Sequence, residues 1–174
     1  MFADANKFVN KLNDVFVLNK LSISIDKTCY TVFGSKITDN INITINGVNI
    51  KKVPYCKYLG LIIESELKWN DHIDFVYNKL LKYVGIFYKL RSKLPIQCLR
   101  NIYYAFVHPH LLFGIELYVN ACASYLDRLT KLNNKLLRIL QNKPLKFPVA
   151  ELYQNYHTFS LLSLHSYQIP FVTL

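Results

Sequence analysis

Acid is scarce in this sequence: 11 Asp plus Glu stand against 21 Lys plus Arg, leaving a formal net charge of +10. A surplus of that size points to a polyanionic partner, with plain solubility as the bland alternative. Glycine is sparse too, at 5 in 174 residues, and no glycine-rich phosphate loop can be assembled from so few. The four cysteines, Cys29, Cys56, Cys98 and Cys122, are widely spaced and contain no Cys-x-x-Cys pair. They are expected to be small buried apolar side chains in a reducing compartment. Asp4 and Lys7 fall where the apolar core of a leader would run, so no signal peptide is expected. The stretch from Asn101 to Ile115 is free of formal charge but shorter than the roughly 20 residues of a bilayer span. It reads as a buried helix, and the chain as intracellular (nucleus or cytoplasm), with no transmembrane segment and no membrane partner. No serine or cysteine occupies a recognisable nucleophile setting, and there are no repeats or low-complexity tracts.

What is present is apolar: 52% hydrophobic residues can fill the core of one domain or two small ones. From Asp4 to Leu18, the spacing of Phe8, Leu12, Val15 and Phe16 predicts a helix with those residues on one face. The period then changes. Thr28-Cys29-Tyr30-Thr31-Val32-Phe33 reads as a strand closed by Gly34 and Ser35. Ile41, Ile43 and Ile45 alternate with polar residues and lead into Asn46-Gly47, the favoured pair for a type I′ hairpin turn. Val48, Ile50 and Val53 begin the return, which Pro54 interrupts. Tyr58-Leu59-Gly60-Leu61-Ile62-Ile63 reads as one more strand. From Trp69 the apolar steps become three and four. Asn70 is the expected N-cap of a first helix carrying Ile73, Val76, Leu80, Val84 and Phe87. Pro95 suits the first turn of a second helix, which carries Leu99, Ile102, Tyr103 and Phe106 and which Pro109 bends or ends. Ser124 is expected to cap a third, with Leu126, Leu129, Leu132, Leu136 and Leu140 on one stripe. The fold class predicted is α+β: an N-terminal helix and small antiparallel sheet, then an all-helical bundle. The expected division is 1–68, 69–143 and a connecting segment 144–174.

Charge placement is the next most informative feature. No acid lies between Phe75 and Ile115, while Lys79, Lys82, Lys89, Arg91, Lys93 and Arg100 do. Arg128, Lys131, Lys135 and Arg138 fall at steps of three and four and are expected to share one face of the third helix. Such a face can bind phosphates through counterion release, or can simply be solvated. The carboxylates Asp4, Asp14, Asp26 and Asp39 are scattered, whereas a two-metal site needs carboxylates that converge. Glu64 and Glu66 alternate at a strand end and read as solvated; Asp71 and Asp74 are placed in a helix's first turn, where the dipole favours them. His108-Pro109-His110 invites a metal reading, but no cysteine or carboxylate completes a set at zinc spacing, and packing or capping is expected instead.

Several segments, in order, resemble the reverse transcriptase of jockey-like LINE (non-LTR) retrotransposons. Asn19 to Thr28 is similar to the palm segment that follows the catalytic aspartates, and Lys57-Tyr58-Leu59-Gly60 to the primer-grip strand. Trp69, His72 and Ile73 match the opening of the first thumb helix, and Pro109-His110-Leu111-Leu112-Phe113-Gly114-Ile115-Glu116 resembles the family's Pro-His-Leu-Leu-Tyr-Gly-Ile-Glu run. Leu129 to Leu140 resembles the helix after it, and the likeness covers roughly residues 12 to 160.

The resemblance implies a C-terminal palm remnant plus thumb of an RNA-directed DNA polymerase, a nucleotidyltransferase. The family's catalytic motif is Phe or Tyr, Ala, Asp, Asp; Phe2-Ala3-Asp4-Ala5 has alanine in the last place. Either the motif is degenerate and followed by a deletion, or these residues belong to the palm helix beyond it. The family's fingers and its upstream palm would then be natural neighbours that this stretch does not include. The fragment is expected to be inactive alone and to hold no cofactor, Mg²⁺ belonging to the intact family enzyme. Lys27 stands where the family has a lysine near the incoming triphosphate, a remnant candidate general acid. The expected partner is an RNA or DNA duplex, bound weakly and without sequence preference. The residues implied are Tyr58, Leu59 and Gly60 together with the basic residues named above. The alternative is a non-enzymatic basic nucleic-acid-binding or self-associating module.

Overall fold

The computed structural model describes residues 2–34 and 42–172. Ser35, Asp39 and Ile41, invoked above, lie outside them. Among the described residues the fold is α+β, as the change of period at Trp69 predicts, and the chain divides into two compact units, Met1–Leu67 and Lys68–Leu174.

The first unit opens with α1 (Phe2–Leu18). After a 3₁₀ turn at Ile25–Lys27 come β1 (Cys29–Tyr30), β2 (Thr44–Ile45), β3 (Val48–Asn49) and β4 (Lys51–Lys52). The strands β5 (Tyr55–Tyr58) and β6 (Leu61–Glu64) complete it. They form three two-stranded pairs rather than one sheet. β2 and β3 pair antiparallel, Ile45 facing Val48 across Asn46-Gly47, and both turn residues have positive φ, the signature of the predicted type I′ turn. β1 pairs with β4 in parallel, Cys29 with Lys51, so that pair departs from the antiparallel expectation. The strand predicted over 58–63 is instead the second half of a hairpin. β5 and β6 pair antiparallel, with Tyr58 opposite Leu61 and the chain reversing at Leu59-Gly60 (φ 48° and 93°). An apolar run concealed that turn, because leucine rarely takes a positive φ.

Helix α1 also departs from its pattern. Of the predicted inner face, Phe8 and Val15 are exposed, Phe8 being 67% accessible, while Leu12 and the half-buried Phe16 line a cavity with Ile43, Ile45 and Ile50. Ala5 and Val9 pack against the same three isoleucines. Two asparagines support this orientation. Asn6 donates from Nδ2 to the carbonyl of Asn42 (3.2 Å) and accepts the Thr44 amide (2.9 Å), while Asn13 donates to the Asn46 side chain (3.1 Å). Hydrogen bonds to the hairpin thus help to set which way the helix faces.

The second unit is helical: α2 (Asn70–Leu90), α3 (Ile96–Phe106), α4 (His108–Leu112), α5 (Ile115–Tyr118), α6 (Ala123–Leu140), α7 (Val149–Tyr156) and α8 (Leu161–Val172). The helix starts shift slightly from expectation. Trp69, in the left-handed region, holds the N-cap place of α2, and Asn70 is already helical; Pro95 caps α3, and Cys122 rather than Ser124 caps α6. Asp74 therefore lies beyond the first turn of α2, and Asp71 within it. α2 and α6 lie along one another. Ile73, Val76, Leu80 and Phe87 share one core with Leu129, Leu132, Leu136 and Leu140. Within it Tyr103 donates to Asn133 Oδ1 (3.2 Å), Asn133 Nδ2 to the Tyr153 hydroxyl (3.3 Å), and Tyr153 to Asn134 Oδ1 (2.7 Å). These bonds satisfy a fully buried amide.

Cys29, Cys98 and Cys122 are exposed and Cys56 half-buried, contrary to the buried expectation, because the exposed three sit at the ends of elements. The run from Leu152 onward also lacks formal charge, yet among the described residues no helix is long and apolar enough to cross a membrane.

Trp69, the single tryptophan, packs against the helical core and reports on its unfolding. Leu136→Ala should lower the unfolding free energy read by its fluorescence in urea by about 2–5 kcal/mol. Leu145→Ala, at an exposed site, should change it by no more than about 0.5 kcal/mol.

Candidate nucleic-acid interface

The apolar stripe of α6 turns inward, so its charged residues must turn out. Arg128, Lys131 and Lys135 emerge on one side and meet Tyr77 and Leu81 from α2. With Asp127 and Leu132 they line a shallow groove of about 340 Å³. The guanidinium of Arg128 lies 4.0 Å from the centre of the Tyr77 ring and donates to Asp74 Oδ1 at 2.7 Å. Lys131 pairs with Asp127 at 2.6 Å, one turn back on the same helix. Lys135 is exposed and has no carboxylate partner among the described residues. Arg138 is drawn elsewhere: half-buried, it donates to the carbonyl of Phe147 (3.4 Å) and does not line the groove.

The other basic residues of the helical unit are spread out. Lys79 lies over the Phe75 ring (5.3 Å), Arg91 over Tyr88 (4.7 Å) and Arg100 over Tyr104 (5.9 Å). Lys82, Lys89 and Lys93 are exposed, outside the groove. Cation–aromatic stacking of this kind orients a charged head while leaving its outer edge to solvent or to an anion. Tyr77 and Leu81 were not singled out in the sequence, although their spacing of four on α2 places them together.

In the first unit, Tyr58, Leu59 and Gly60 form the tip of the β5–β6 hairpin. Tyr58 is 61% and Leu59 76% accessible, so an aromatic ring and an aliphatic side chain project at a turn. Lys27 is exposed at the end of the 3₁₀ turn, its amide bonded to Ser24. Phe2 to Asp4 are helical, the opening turn of α1.

His72 and His108 are packed against aromatic rings. His108 lies against Tyr104 (5.0 Å) and Tyr103 (6.2 Å). His72 is buried beside Tyr118 (5.4 Å). Burial holds both imidazoles below their ordinary range, and burial, then the nearby Lys79, does the same for His110. Among the described residues no three His, Cys, Asp or Glu side chains cluster as metal ligands would.

Over 125 residues, 70% of its length, the chain is 27% identical to the RNA-directed DNA polymerase from mobile element jockey of Drosophila melanogaster. Over 127 residues, 71%, it is 28% identical to that of Drosophila funebris. The chain is similar to LINE-like reverse transcriptases. The probable RNA-directed DNA polymerase from transposon X-element of Drosophila melanogaster is 29% identical over 101 residues. The chain spans only about 14% of the length of the jockey polymerases, and is thus similar to a fragment of them. No family model and no solved structure matches it.

The buried histidine gives the chain a pH dependence with a definite sign. His72 takes up a proton more readily unfolded, near 6.5, than folded. Stability contributed by its neutral form is therefore full above that value and lost as pH falls through it. Urea midpoints should drop between pH 7.5 and 5.5, and His72→Gln should flatten that drop.

Proposed function

We propose that this chain is the palm end and thumb of a LINE-type reverse transcriptase and holds a nucleic-acid backbone without polymerising by itself. The observation that carries this reading is the groove between α2 and α6, where Arg128, Lys131 and Lys135 converge beside an aromatic ring. Their ammonium and guanidinium groups suit phosphate oxygens, the contacts that position a backbone. The relatives are named as RNA-directed DNA polymerases, and an RNA–DNA duplex is the corresponding ligand. The hairpin tip at Tyr58-Leu59-Gly60 is a second contact, offering apolar surface rather than charge.

Non-specific binding of this type lies on the order of 10⁻⁴ to 10⁻⁶ M at physiological salt and weakens steeply as salt rises. Fluorescence anisotropy with an RNA–DNA duplex across a salt series tests it. Replacing Arg128, Lys131 and Lys135 together by Gln should reduce the salt slope by about two to three units, near one per lost phosphate contact. An unchanged slope would remove the groove from the interface.

Polymerase chemistry needs carboxylates converging on two Mg²⁺ ions. The residues here do not fit that demand, since Asp4 is exposed in α1 with Ala5 beside it. Primer extension on a primed RNA template with Mg²⁺ or Mn²⁺ should stay at the no-protein level. Ala5→Asp should not rescue it.

A further inference from the structure

The groove is electrostatically occupied by the protein itself. Arg128 and Lys131, two of its three cations, are each held by a carboxylate, at 2.7 Å from Asp74 and 2.6 Å from Asp127. Both distances are those of charge-assisted hydrogen bonds, in the geometry a phosphate oxygen would adopt. Asp74 reaches across from α2, just before a run to Ile115 that is free of acid, so the acid falls where the cations converge. All four side chains are more than a third exposed, Asp74 least at 37%, and such pairs contribute little to folding. Arg128 would also keep its place without Asp74, because the Tyr77 ring holds it from one side.

We infer that Asp74 and Asp127 are built-in competitors for phosphate, so that the groove yields to a chain of phosphates but not to a single anion. This rests on the reading of the groove as a nucleic-acid interface. A lone phosphate arriving from solution must displace a carboxylate that is already tethered within reach. A nucleic-acid backbone meets a different situation. Lys135, the one groove cation without a carboxylate partner among the described residues, captures one phosphate, and the next phosphates are then presented to Lys131 and Arg128 at a high effective concentration. Each carboxylate is exchanged in turn. The ligand class is thus a polyphosphodiester, and the two acids set both its affinity and its discrimination against free phosphate.

The experiment uses the full chain, a fluorescein-labelled RNA–DNA duplex and inorganic phosphate as competitor. Asp74→Asn with Asp127→Asn should tighten duplex binding on the order of tenfold, at about two- to fivefold per exposed pair released. Inorganic phosphate should displace the duplex from the double variant at lower concentration than its Kd ratio alone requires. Glu151→Gln removes one unit of charge outside the groove, as each of the two Asn changes does beside it, and should shift binding less than twofold. Asp127→Asn alone, on the outer side of α6, keeps the test intact if the Asp74 change unsettles α2. A double variant that binds no tighter than Glu151→Gln, with phosphate competition unchanged, overturns the inference. If the Arg128, Lys131 and Lys135 variant also binds like the wild type, the interface reading has failed; if that variant alone loses binding, only the role of the acids has.

Discussion

The seam between α2 and α6 is the constraint on which the helical unit depends. Ile73, Val76 and Leu80 on one helix share a core with Leu129, Leu132 and Leu136 on the other, spaced so that each helix presents one continuous apolar face. Once those faces are joined, the azimuth of every other residue on the two helices is fixed. Tyr77 and Leu81 come to one edge of the seam, and Arg128, Lys131 and Lys135 come to meet them. The groove is therefore a by-product of core packing, which is why its cations stand on rigid elements and not on loops. The amide of Asn133, buried in the same core and bonded to two tyrosines, adds directional bonds to a contact that leucines alone would leave free to slide.

The two units rest on different physics. The helical unit has a large apolar core. The first unit has a small one, with Ile43, Ile45 and Ile50 at its centre, and relies more on hydrogen bonds between side chain and backbone. Strands of two residues supply few ladder bonds, so α1 contributes what a longer sheet would otherwise provide. The apolar side chains on the outside of α1 do not take part in that arrangement.

Legibility in the sequence follows the same division. Where burial alone decides, the pattern was enough: the helices α2, α3 and α6 and the turn at Asn46-Gly47 follow from spacing and from turn chemistry. Where long-range hydrogen bonds decide, it was not. Nothing local says that Asn6 and Asn13 will bond to the hairpin and leave Phe8 and Val15 outside, because their partners lie more than thirty residues on. The Leu59-Gly60 turn was hidden by an apolar run, since a leucine at positive φ gives no compositional sign. The site divides likewise. The cations of α6 could be read from their steps, but the pairing of Arg128 with Asp74, and the departure of Arg138 to Phe147, depend on residues brought up by tertiary structure. The likeness to LINE-like reverse transcriptases was carried by an ordered set of short segments, and the relatives bear it out.

The bonds from Asn6 to Asn42 and Thr44 have a consequence for solubility. A carbonyl and an amide two residues apart on the same side of a strand are what a neighbouring parallel strand would engage, and here one carboxamide engages both. One side chain thus impersonates a β-partner and shields the outer rim of β2, whose other rim belongs to β3. A rim left bare recruits strands from other molecules. Loosening of α1 would turn that rim into a template, so the helix acts as a guard against cross-molecular strand growth as well as a piece of the fold.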